Sequence, residues 1–164
     1  MDSEQLKGIL AADAYTGKIE TDVLPADMAP TDPVSLPCAY IFNTDPASKP
    51  GTHWVAVYFN TRGRGYYFDP LGVAPSSSIA EFFFANGKSH AYNHHQIQSA
   101  ATDACGHYCV MFLGRCARGH PPSRIVSQFS SREPGFFDGW VKQMVECEFE
   151  HVNRMCVKCN QGCK

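Results

Sequence analysis

Apolar positions recur at helical period most clearly over residues 105–118. Cys105, Tyr108, Cys109, Phe112, Leu113 and Cys116 fall at i, i+3, i+4, i+7, i+8 and i+11, one stripe suited to a core. Thr102 and Asp103 stand where an N-cap belongs, and Gly119, Pro121 and Pro122 end the helix. A different pattern covers residues 53–59, His-Trp-Val-Ala-Val-Tyr-Phe. This almost unbroken apolar run predicts a central strand covered on both faces. Asn60 to Gly65 turns the chain, residues 66–68 return as a strand, and Asp69-Pro70-Leu71-Gly72 stops it. Residues 38–43 predict another strand, followed by a loop over 44–52. Shorter patterns predict a helix over 4–14 with Ser3 as its N-cap, a helix over 78–85, a strand over 94–98 and a helix over 136–148. Residues 21–37 carry Pro25, Pro30, Pro33 and Pro37, which suits an ordered, irregular connection. No internal repeat or linker interrupts the chain. The expected organisation is one domain over 1–150 and a Cys-rich tail over 151–164.

Composition narrows the class without naming it. The 164 residues can bury one sizeable core. A net charge of −2 gives no general nucleic-acid footprint. No apolar run approaches the length of a membrane span, and the start, Met1-Asp2-Ser3-Glu4-Gln5, has no apolar signal core behind it. The expectation is a protein that stays inside the cell, away from membranes. Eight cysteines would suit a disulfide framework in a secreted chain, but a reducing compartment makes most of them small buried hydrophobes or tail thiols.

One cysteine permits a sharper reading. Cys105 opens the best helix, and a helix N-terminus carries partial positive charge that lowers a thiol pKa. Gly106 after it leaves room for a substrate carbonyl against the backbone. Thiol catalysis also needs a base and an oxyanion donor. His107 points off another helix face, whereas His53, His94 and His95 each remain candidates for the base. Asp69 follows His53 by an even separation. Across a hairpin of odd loop length this puts both side chains on one face, where the carboxylate would fix the imidazole tautomer. Gln98, with Gln96 as a competitor, could donate to an oxyanion beside the Cys105 backbone N–H. Each of these residues, taken alone, also has an ordinary structural meaning.

Together they resemble a known family. Gly51-Thr52-His53-Trp54-Val55-Ala56, then Tyr67-Phe68-Asp69-Pro70-Leu71-Gly72, then Gln98 and Ala104-Cys105-Gly106-His107-Tyr108-Cys109, resemble the adenovirus endopeptidase (adenain) family of cysteine proteases. The likeness runs over residues 3–118, and the wider group includes proteases that remove SUMO-like modifiers. The resemblance implies an α+β fold, a central mixed β-sheet flanked by helices. It implies Cys105 as nucleophile, His53 as base, Asp69 as orienting acid and Gln98 as oxyanion donor. Trp54, with Gly51 and Gly106 beside it, would line the substrate site. The implied function is cleavage of viral or virus-like precursor proteins at Gly-containing sites during maturation, in the host cell nucleus or virion, by a monomer.

The departures from the family bear on regulation. Aspartate at 69 replaces the glutamate of the best-known members. Adenain is activated by a disulfide-linked peptide and by DNA, so the resemblance brings an activating peptide and nucleic acid into view as partners. No cysteine stands between Cys38 and Cys105 to receive such a peptide, and the aligned position is near Gly87. Arg115, Arg118, Arg124 and Arg132 offer a local basic patch, or simply a solvated face. No cofactor or metal is expected in the site. In the tail, His151, Cys156, Cys159 and Cys163 have soft-ligand chemistry, but no second CxxC pair accompanies Cys156-x-x-Cys159, so zinc is not expected there. Two other readings stay in view: a deconjugating protease for SUMO-like modifiers, and a non-catalytic binding module with a C-terminal zinc knot.

Overall fold

The apolar runs become the middle of a mixed sheet in the computed structural model, which describes residues 1–148. Strands β1 (Glu20–Pro25), β2 (Cys38–Asn43), β3 (Trp54–Phe59), β4 (Arg64–Phe68) and β5 (Ser89–Tyr92) lie side by side in that order. The central pairs β2–β3 and β3–β4 are antiparallel, while β1 on β2 and β5 on β4 are parallel. Strand β2 is buried at every position, and β3 at every position after Trp54. A continuous apolar strand requires cover on both faces, and two cores supply it.

Successive side chains alternate between those cores. Ala39, Ile41, Ala56, Tyr58 and Phe68 pack on one side with residues of α1 (Ser3–Ala12), α3 (Cys105–Ala117), α4 (Pro122–Ser127) and α5 (Asp138–Glu148). Tyr40, Phe42, Val55, Val57, Phe59 and Tyr67 pack on the other side with Ile79, Phe82 and Phe83 of α2 (Ser77–Ala85). Helix α3 is buried almost all round, not only along the predicted stripe; from Cys105 to Gly114 only His107 is partly exposed. Phe112 of α3 stacks on Phe68 of β4 with ring centroids 4.4 Å apart. Helix α3 is thus packed against the sheet.

Several local expectations change. Asp2, not Ser3, caps α1: its carboxylate accepts from Gln5 N at 2.8 Å, while Gln5 Oε1 accepts from Asp2 N at 2.9 Å. Neither Thr102 nor Asp103 caps α3. Ala104 holds that position without a side-chain bond, because the Thr102 hydroxyl donates to Asp138 and Asp103 pairs with Lys142. The proline-rich stretch 21–37 begins inside a strand, since Pro25 sits at the end of β1, where its missing N–H costs little. The strand expected over 94–98 lies earlier, as β5. Residues 94–98 are loop, and the N–H groups of Ile97 and Gln98 both donate to the Pro70 carbonyl instead of a ladder. Pro122 starts α4 rather than merely following α3.

The arginines do not form one free patch. Arg118 pairs with buried Asp13 at 2.5 Å, Arg115 donates to Gln128 at 2.9 Å, and Arg132 lies over the Phe136 ring. Among the described residues no helix is long and apolar enough to cross a membrane. The Cys-rich tail 151–164, with His151, Cys156, Cys159 and Cys163, lies outside the described residues.

Candidate active site

His53 directly precedes β3, and its carbonyl accepts from Thr44 N at 2.9 Å, which pins its backbone beside the end of β2. Asp69 directly follows β4. Phe59 pairs with Gly65 across the connection 60–64, which is odd in length, so residues 53 and 69 share a face. Their side chains meet, with His53 Nε2 and Asp69 Oδ1 2.7 Å apart.

Asp69 is only 2% exposed, and a buried carboxylate is costly without partners. Besides the imidazole, Leu71 N donates to its Oδ1 at 2.7 Å. Asn93 then clasps the Asp69 backbone: its Oδ1 accepts from Asp69 N at 2.9 Å and its Nδ2 donates to Asp69 O at 2.6 Å. Leu71 N thus holds the carboxylate, and Asn93 holds the backbone that carries it, facing the imidazole.

Cys105 occupies the first position of α3 and faces the same imidazole. Asp69 takes Nε2, which leaves Nδ1 for the hydrogen bond between the His53 ring and the Cys105 sulfur. Burial by itself would raise the Cys105 thiol. The His53 hydrogen bond, the Trp54 and Gly106 backbone N–H groups and the imidazolium charge outweigh it and hold the thiol below its ordinary value. Burial would likewise lower His53, but the hydrogen bonds to Asp69 and Cys105, with their charges, raise it to about 9. The other buried thiols go the opposite way. Burial, with Glu20 nearby, pushes Cys38 up to about 12, and burial pushes Cys109 and Cys116 well up. Of the four buried thiols, Cys105 alone is held below its ordinary value, opposite an imidazole raised above its own.

These groups border a cavity of about 640 Å³ lined by His53, Cys105, Gln98, Gly51, Trp54 and Leu71, among others. A second cavity of about 350 Å³ shares Asn43, Gly51 and Trp54 with it, so the cleft continues toward β1. Trp54 is fixed by donation from its Nε1 to the Met1 carbonyl at 3.1 Å. Gly106 lies beneath Trp54 and not in the cavity wall; a Cβ there would sit 3.4 Å from Trp54 Cδ1 and 3.3 Å from Met1 Cβ. Its role is close packing, as well as the N–H it turns to Cys105. Gly51 needs its left-handed backbone, φ +80°, to pass the Asn43 side chain.

Gln98 is 2% exposed, and its Nε2 donates to Thr102 O at 2.7 Å. An amide nitrogen carries two hydrogens, so one remains for the cleft. Gln96, the competitor, is exposed and donates to Gln98 O at 2.9 Å. The alternative histidines lie elsewhere. His94 and His95 are exposed, with His94 against the Tyr92 ring at 4.2 Å, and His107 leaves its Nδ1 buried without a partner among the described residues. Among the described residues no group of three or more His, Cys, Asp or Glu is arranged to hold a metal ion.

Two supporting residues were missed by sequence reasoning. Asn93 lies just beyond the four-residue edge strand, and Asp138 reaches back from α5; neither has a motif spacing that marks it.

A mixed sheet lies between helices, with a His–Asp pair on adjacent strands and a thiol at a buried helix start, and the fold is similar to that of a solved viral protease. The chain is 34% identical over 100 residues to a protein of Acanthamoeba polyphaga mimivirus that carries the name thiol protease R355, covering 54% of this chain and 33% of that protein. This chain thus spans about a third of the length of the curated relative it matches. Among solved structures, the ASFV pS273R protease matches with a TM-score of 0.50 and 19% identity, over 75% of this chain and 47% of that one. ChlaDub1 from Chlamydia trachomatis matches with a TM-score of 0.49 and 12% identity, over 92% of this chain and 80% of that one. No family model matches.

Proposed function

We propose that this protein is a cysteine endopeptidase that cleaves precursor proteins of a virus or virus-like element at Gly-containing sites, as part of particle maturation. The observation that carries the reading is His53 held between a buried carboxylate and a thiol kept below its ordinary pKa, inside an open cleft. The name of the mimivirus relative and the order of the site residues support it.

In the proposed mechanism the Cys105 thiolate attacks the scissile carbonyl carbon. A C–S bond forms and the carbonyl π electrons move to oxygen. That oxyanion accepts hydrogen bonds from the Gln98 amide and from the Cys105 backbone N–H, one of the first N–H groups of a helix, which have no partner within the helix. Imidazolium His53 gives its proton to the amine nitrogen as the C–N bond breaks, leaving a thioester. Neutral His53 then takes a proton from water, whose oxygen attacks the thioester, and the thiolate departs. Asp69 holds Nε2–H throughout and keeps Nδ1 facing the sulfur. Trp54 and Gly51 line the cleft beside the nucleophile, and the preference for a residue with little side chain rests on the resemblance to the adenain family.

The pH dependence follows in sign. The competent form has Cys105 ionised and His53 protonated. Activity rises as pH climbs through the depressed Cys105 value and falls as His53 loses its proton near pH 9. A kcat/KM profile from pH 4 to 11 on a short fluorogenic peptide checks this. An alkaline limb near the ordinary histidine value of about 6.5 would contradict the proposed ion pair.

The substrate is tested with three probes: a Gly-Gly-containing viral junction peptide, a SUMO precursor and a ubiquitin precursor. Each is assayed with and without duplex DNA. Cleavage of the viral peptide at least about tenfold faster than either modifier precursor supports maturation. Preference for a modifier precursor makes the protein a deconjugating enzyme instead. No cleavage of any probe, together with no labelling of Cys105 by a thiol-reactive peptide, leaves a non-catalytic binding module.

A further inference from the structure

We infer that Asp138, the first residue of α5, is a positioning residue for the Gln98 amide, holding residues 98–104 in the form that presents the oxyanion donor. This rests on the proteolytic reading above.

Asp138 is 5% exposed and lies on a different element from every group described in the mechanism. An aspartate at a helix start ordinarily accepts from the N–H groups of its own first turn. This carboxylate instead reaches to two other segments. Its Oδ2 accepts from Ser99 N at 3.2 Å and from Thr102 Oγ1 at 2.5 Å. Its Oδ1 accepts from Tyr108 OH on α3 at 3.0 Å. The two oxygens are divided: one gathers the loop before the nucleophile, and the other ties that loop to the nucleophile helix.

The loop needs such a tie. Gln98 Nε2 donates to the carbonyl of Thr102, the residue whose hydroxyl Asp138 holds. Gln98 Oε1 is buried without a partner among the described residues, so nothing on its own carboxamide oxygen fixes the amide. Its orientation is set through the Thr102 carbonyl, and the place of Thr102 is set through Asp138. The turn before α5 adds a second clamp: Gly135 N donates to Ile97 O at 2.8 Å, one residue before Gln98. Gly135 has φ +88°, and a Cβ there would lie 2.7 Å from Ser99 Cβ, so the turn and the loop are in close contact.

The test separates oxyanion stabilisation from thiolate formation. Alkylation of Cys105 by iodoacetamide needs the thiolate and no oxyanion donor, whereas peptide hydrolysis needs both. Losing a preorganised oxyanion donor costs about 10²–10³ in kcat, and loosening it should cost about tenfold or more. Asp138→Asn and Thr102→Val are therefore expected to lower kcat with KM within about twofold of the parent. The rate and pH profile of Cys105 alkylation should stay unchanged. Combining Asp138→Asn with Gln98→Ala should cost no more than Gln98→Ala alone, because both act on one interaction.

Two results overturn the inference while sparing the protease reading: Gln98→Ala loses kcat but Asp138→Asn does not, or Asp138→Asn shifts the alkylation profile along with kcat. If Gln98→Ala keeps full kcat, the inference fails together with the assigned role of Gln98. Should Asp138→Asn fail to fold, Thr102→Val decides alone, since its site is exposed, and an unchanged kcat overturns the proposal.

Discussion

Cys105→Ala is expected to lower peptide hydrolysis on the order of 10⁶-fold, the scale on which removing a nucleophile from a cooperating set acts. None of the other three buried thiols can take over. Cys109 and Cys116 lie deeper in α3, with their thiols pushed well up by burial, and Cys38 on β2 is pushed to about 12. The same variant should lose labelling at position 105 by a thiol-reactive peptide probe at pH 6, because of the four buried thiols Cys105 is the one held below the ordinary thiol range by a facing imidazole. Mass spectrometry of the labelled chain checks both the count and the position. A variant that labels and turns over like the parent would end the catalytic assignment.

His53→Ala should cost nearly as much, on the order of 10⁵–10⁶ in kcat, since members of such a set are grossly non-additive. Two functions vanish at once. The leaving amine loses its proton donor, and the Cys105 thiol loses the hydrogen bond and charge that offset its burial. The remaining environment, a thiol 8% exposed in the protein interior, favours the neutral form. Alkylation of Cys105 should therefore slow at pH 6 and 7 and recover only at alkaline pH. Measuring the alkylation rate across pH for both chains separates this from simple misfolding. An unchanged alkylation profile would mean that another group ionises Cys105.

The elements that place the site were legible because their signals are long or dense. The seven-residue apolar run from His53 and the helical stripe from Cys105 to Cys116 both form where expected, and they place two of the four candidate site residues. The even separation of His53 and Asp69 was informative because an antiparallel hairpin fixes register over such a short distance. What was illegible depends on distant partners. Strand β1 pairs in parallel with β2, so no tight turn announces it, and Pro25 disguises it. Thr102 looks like a helix cap in one dimension; in three, its hydroxyl is claimed by Asp138, 36 residues away. Gly106 suggested space for substrate, but the space is filled by Trp54 and Met1. In each case local propensity lost to a tertiary contact.

The Asn93 clasp on Asp69 has a kinetic consequence. Asn93 follows β5, a four-residue edge strand paired on one side only and buried at none of its positions. Edge segments of this kind open far more often than the whole molecule unfolds. Each such opening releases the Asp69 backbone and, with it, the anchor of the imidazole, while α3 and the twin cores stay closed. On the proposed reading, the fraction of molecules able to turn over at a given instant is expected to follow the opening of β5 rather than global stability, and amide exchange at residues 89–92 alongside activity checks it.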